Sequence, residues 1–170
     1  MANASLPALA VLTQSIKGYR GYQESVQRAE SDSELRAFLI LKIEGLLEHL
    51  QHLPETTGSE QQNRLDQLAG SAQRKLRTVC ESLSRPTYQG GLFFKTATVQ
   101  AEVLSRIYSF ENGMIRDLDK LAEEITVLSK APALDEEIYE EAFVHIHDFV
   151  DNFNQSLFER EALIAGDMEE

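Results

Sequence analysis

Apolar residues recur every three or four positions along most of this chain, the spacing of a helix that buries one face. Leu9, Leu12, Ile16, Tyr19 and Val26 form a first stripe within residues 6–29. Leu35, Leu39, Ile43, Leu46, Leu50 and Leu53 form a second. Ser31 and Glu34 have capping-box spacing at its start, and Pro54 ends it, because proline disfavours helical geometry in the residue before it. After the loop PETTGS, Ser59 and Gln62 offer a cap for a third stripe: Leu65, Leu68, Ala72, Leu76, Val79 and Leu83. Pro86 and the pair Gly90–Gly91 punctuate the longest connection. Val103, Ile107, Met114, Leu118, Leu121, Ile125 and Leu128 follow as a fourth stripe, broken at Pro132. Asp135 is the expected cap of the last helix, whose stripe is Tyr139, Ala142, Ile146, Phe149, Val150, Phe153 and Leu157.

Two places test this pattern. Asn112–Gly113 is a common turn signal, yet Leu104, Ile107, Met114 and Leu118 keep one phase across it, so a single long helix is expected. Leu92, Phe93 and Phe94 are too few for a strand and read as a hydrophobic staple at the entrance of the fourth helix. The expected fold is all-α, an antiparallel bundle of four to five long helices, each of about 20–35 residues. With no linker-like stretch, residues 1–170 read as a single domain, with an acidic C-terminal tail from about residue 166.

Charge and cysteine content narrow the function. The net charge is -12, and residues 96–170 alone carry 5 basic and 18 acidic side chains. Nucleic acid and anionic membrane surfaces attract the opposite balance, so neither is an expected partner. No apolar run approaches the roughly 18 residues of a membrane span. The single cysteine, Cys80, excludes an intramolecular disulfide framework, and with no signal peptide visible the expected setting is the cytoplasm.

The run EEAFVHIHDFVDNF holds two histidines one residue apart among four acids. At about 100° per residue, His145 and His147 leave the helix on opposite flanks of Ile146, so one metal is not expected to hold both. Neither these histidines nor His49 and His52 have a glutamate three positions earlier, so the Glu-x-x-His pairs of a carboxylate-bridged metal bundle are missing. One cysteine offers no zinc pattern. Cys80 reads as a partly buried structural residue. No metal, cofactor or catalytic constellation is expected from these motifs.

The residues that break the hydrophobic pattern are more informative. Glu111 falls about 40° from Ile107, inside the fourth stripe. Arg20 and Gln23 intrude likewise on the first. A mid-bundle polar layer of Arg20, Gln23 and Glu111 is expected, with Tyr19 completing its hydrogen bonds. Its role is structural or, alternatively, to bind a small ligand or metal. Tyr19 and Tyr22, in GYRGY, together with Leu92, Phe93 and Phe94, are the candidate interaction surface, and Leu6 and Val11 give the first helix a second apolar edge. The functional expectation is a non-enzymatic interaction module, an adaptor, scaffold or chaperone-like bundle that binds a protein partner or itself.

Overall fold

The computed structural model describes residues 5–166, and all their regular elements are helical. In chain order these are α1 (Ser5–Ser15), α2 (Ser25–Gln51), α3 (Ser59–Ser84), a 3-10 turn at Leu92–Phe94, α4 (Ala101–Ser129) and α5 (Glu136–Ala165). The second, third and fourth stripes face the core as the spacing predicts: Leu39, Ala72 and Ile107 are fully buried. Helix α4 runs unbroken through Asn112–Gly113, because its apolar phase never resets.

The first stripe is where the structure departs from the pattern. The predicted helix over residues 6–29 is instead the short α1, a loop, and the start of α2. Gly18 and Gly21 sit at φ +88° and +80°, the left-handed region where a side chain costs energy. A Cβ on Gly21 would also stand 2.7 Å from Leu9 Cδ1 and 2.8 Å from the Tyr108 hydroxyl. The two glycines end α1 and turn the chain back, and α2 then begins six residues before the expected cap. Ser31 and Glu34 therefore lie inside α2, where Ser31 Oγ accepts the Arg20 N–H at 3.0 Å. Val26 is exposed, since the first stripe does not continue into α2.

The four long helices close a ring in the order α2, α3, α5, α4, and α1 lies along α4. Consecutive long helices run antiparallel: Arg36, early in α2, donates to the Leu83 carbonyl, late in α3, and Glu111, in the first half of α4, meets Arg160, late in α5. The ring neighbours α2 and α4 run parallel: Asp32 is level with Glu111 through Arg160, and Lys42 pairs with Asp119 further along both helices. Arg64 with Glu140, then Lys75 with Asp151, show the same parallel sense for α3 and α5. Helices α3 and α4 thus stand on opposite corners, and residues 85–100 cross the end of the bundle between them. This crossing drives Tyr88 and Phe93 into the core.

Buried Arg28 fastens that end. Its Nε donates to the Tyr22 carbonyl at 2.7 Å, and Nη1 donates to the carbonyls of Phe93 and Thr96 at 2.7 and 2.8 Å. One guanidinium on α2 so ties the α1–α2 loop to the crossing connection. The Leu92–Phe94 turn is part of this crossing and lies seven residues upstream of α4, so it is a plug under the bundle rather than a staple.

Candidate functional site

Glu111 has no exposed surface, and neither has Arg160 of α5. Arg160 Nε donates to Glu111 Oε1 at 2.8 Å, and Nη2 donates to Asp32 Oδ1 at 2.6 Å. Two tyrosine hydroxyls fill the gaps. Tyr22 accepts from Arg160 Nη2 at 2.9 Å and donates to Glu111 Oε1 at 2.7 Å. Tyr88 accepts from Arg160 Nη1 at 3.0 Å and donates to Asp32 Oδ1 at 3.0 Å. Each hydroxyl has one proton to give, and each gives it to a carboxylate. Tyr19 donates to Glu111 Oε2 at 2.5 Å, and Arg36 Nε donates to Asp32 Oδ2 at 2.9 Å. Two carboxylates thus face two guanidinium groups, and all four carboxylate oxygens are engaged.

Burial explains the protonation states. It pushes the Glu111 carboxyl above its ordinary range, against the pull of Arg160, Tyr19 and Tyr22. It raises the Tyr19 and Tyr22 hydroxyls well above theirs, and the nearby Glu111 carboxylate adds to both shifts. Tyr88 is pushed up to about 12 by burial, with Arg160 opposing and Asp32 assisting. Burial alone would make Arg160 easier to deprotonate, but the surrounding acidic groups hold its charge firmly. The chemistry that results is a fixed neutral cluster. Its protons are directed to internal acceptors, and only small edges of Arg36 and Tyr88 reach solvent.

Part of the predicted polar layer assembles here and part does not. Glu111 meets Tyr19 and Tyr22, but Arg20 and Gln23 are exposed. Their placement inside the core assumed a helix through residues 16–24, and the glycine loop removes that phase. The layer also lies toward the crossed end of the bundle rather than at mid-height. The tyrosines and Phe93 proposed for an interaction surface are buried, because the loop and the crossing connection turn them inward. Phe94 is half-buried and stacks on Tyr88, with ring centroids 6.2 Å apart. Leu92 alone of that group is solvent-facing, 74% exposed. Val11 is half exposed, and the side chain of Leu6 lies outside the described residues.

Spacing reasoning missed Arg160 and Asp32, yet both carried a signal. Extending the α5 stripe three residues past Leu157 reaches Arg160. Stepping back three from Leu35 reaches Asp32, and four more reach Arg28. These positions are in phase with the core, but the supposed cap at Ser31 ended the count too soon.

The histidines lie elsewhere. His145 is exposed and opens toward α4. His147 lies one turn from Asp151, which pairs with Lys75 of α3. The two rings therefore leave α5 toward different neighbours. Among the described residues no group of three or more His, Cys, Asp or Glu side chains could hold a metal ion. Cys80 is half-buried, and burial with the nearby Glu44 raises its thiol above its usual range, which disfavours the nucleophilic thiolate.

The surface offers a different feature. Two adjoining depressions of about 360 and 280 Å³ run between α4 and α5 and share Glu124 and His145. Leu121, Leu128 and Phe149 line their floors; the larger is ringed by polar side chains such as Asp117, Asp148 and Asn152, while the smaller is mainly apolar, with Val127 and Ile138 at its end, 71% and 50% exposed. Searches against protein-family models, curated proteins and solved structures find no match to this chain. Among the described residues no helix is long and apolar enough to cross a membrane.

Proposed function

We propose that this chain is a non-enzymatic protein-interaction module, an adaptor, scaffold or chaperone-like bundle that acts through its outer helical faces. The observation that carries the reading is the contrast between a sealed interior and an open groove that ends in exposed apolar side chains, Val127 and Ile138. Glu111, the best internal candidate for chemistry, already engages three donors and has no exposed surface. A ligand there would have to displace an arginine and two tyrosines. Apolar side chains left in solvent between two helices instead suit a macromolecular contact. The lone cysteine fits a cytoplasmic setting.

Affinity capture on the immobilised protein tests this. A partner should be retained in stoichiometric amount, or the chain should associate with itself in sedimentation. Surface substitutions should abolish that association, while conservative interior substitutions should change only stability. Turnover of a small molecule that depends on Glu111 would overturn the reading.

A further inference from the structure

We infer that the α4–α5 groove is the docking site for a basic amphipathic helix of a partner protein, a proposal that rests on the interaction-module reading. Groove-lining positions on α5 include Ile138, Ala142, His145, Phe149, Asn152 and Phe153, a stripe at helical spacing. That stripe is about 22 Å long at 1.5 Å per residue, the length of a helix of about 15 residues. Apolar side chains at i, i+3, i+4 and i+7 of such a helix would meet Phe149 on the floor and Val127 and Ile138 at the end.

Charge selects the occupant. The rim carries Glu124, Glu141 and Asp148, and none of these pairs with a base among the described residues. Among the described residues Lys120 is the one Lys or Arg lining the groove. A segment with lysine or arginine beside its apolar stripe complements this rim, whereas nucleic acid and anionic lipid are repelled by it. A second copy of this chain would bring another net -12 toward the same acids, which favours a basic partner over self-pairing.

The experiment uses the full chain and a labelled synthetic peptide of about 15 residues, helical, with leucine on one face and lysine on its flanks. Fluorescence anisotropy should show saturable binding that weakens as salt rises. A scrambled peptide of the same composition, and a glutamate-flanked version, should each bind at least tenfold more weakly. Two double variants should each lose at least tenfold in affinity: Val127→Ser with Ile138→Ser, and Glu124→Lys with Glu141→Lys. Leu92→Ser should change nothing. All the altered side chains are exposed, so unchanged urea midpoints would show that the fold is intact. Equal binding of the scrambled peptide, undiminished binding by the groove variants, or a dimer that buries the groove would overturn the proposal. Captured partners that survive both groove variants overturn the groove alone. Absence of any association by the unmodified chain overturns the module reading itself.

Discussion

Glu111 and Glu124 sit on the same helix, 13 positions apart in sequence and about 140° apart around the axis. One is sealed among an arginine and two tyrosines, and the other stands in water with no ion pair among the described residues. The interior charge is matched almost group for group, since an unmatched one would cost several kcal/mol. The groove charge is matched by solvent and costs little to leave open. Identical side chains therefore serve two ends. Inside, the carboxylate fixes how the α1–α2 loop, α4 and α5 meet; outside, it is open to solvent.

The largest effect expected of this contrast is alkaline. Tyr19, Tyr22, Tyr88 and Tyr108 all have folded-state pKa values above the ordinary tyrosine range, chiefly through burial. They keep their protons in the folded protein while the unfolded chain loses them near pH 10. Stability is thus full below about pH 10 and falls as pH rises, by about 1.4 kcal/mol per pH unit for each tyrosine still protonated. The unfolded tyrosine is only half ionised at about pH 10, so the first unit costs about 1 kcal/mol for each, at most about 4 kcal/mol for the four, and the loss steepens beyond it. Tyrosine absorbance and circular dichroism followed together should change in one transition. Ionisation well before unfolding would show that the cluster is open to solvent.

Arg160→Met should rank next, at about 3–5 kcal/mol, because it leaves buried Glu111 without its cation and takes one of two cations from Asp32, which keeps Arg36. Adding Glu111→Leu should recover part of that loss, and urea denaturation of the two single variants and the double variant measures the coupling. Strict additivity would mean that the two groups do not depend on each other. Tyr19→Phe is smaller, about 1.5–3 kcal/mol, since it removes the only donor to Glu111 Oε2 among the described residues. The smallest effect belongs to the groove: Glu124→Lys should shift stability by no more than about 0.5 kcal/mol. A larger loss from that reversal would erase the distinction between the two regions.

Much of the architecture was legible in the sequence. The stripes of α2 to α5, the helix end before Pro54 and the continuity of α4 through Gly113 all follow from spacing, because each helix must bury one face whatever it packs against. Burial of Glu111 was legible for the same reason. Its partners were less so. Arg20 and Gln23 were placed by a helical phase that Gly18 and Gly21 interrupt, and a glycine pair in a helical pattern does not announce a left-handed turn. Arg160 and Asp32 were in phase with their own stripes, but nothing local ties residue 160 to residue 32.

By itself the sequence determined that the stripes of α2 to α5 are helical, which face of each is apolar, and that acidic charge gathers in the last two helices. These depend on neighbours within a turn or two, where geometry is regular. The tertiary structure alone decided that α3 and α4 take opposite corners, that the connection between them crosses beneath the core, and that Arg160 closes the network. It also decided that Val127 and Ile138 are left exposed beside unpaired acids. Those outcomes depend on which helices become neighbours, and that choice is set by packing among residues up to 138 positions apart rather than by any local pattern.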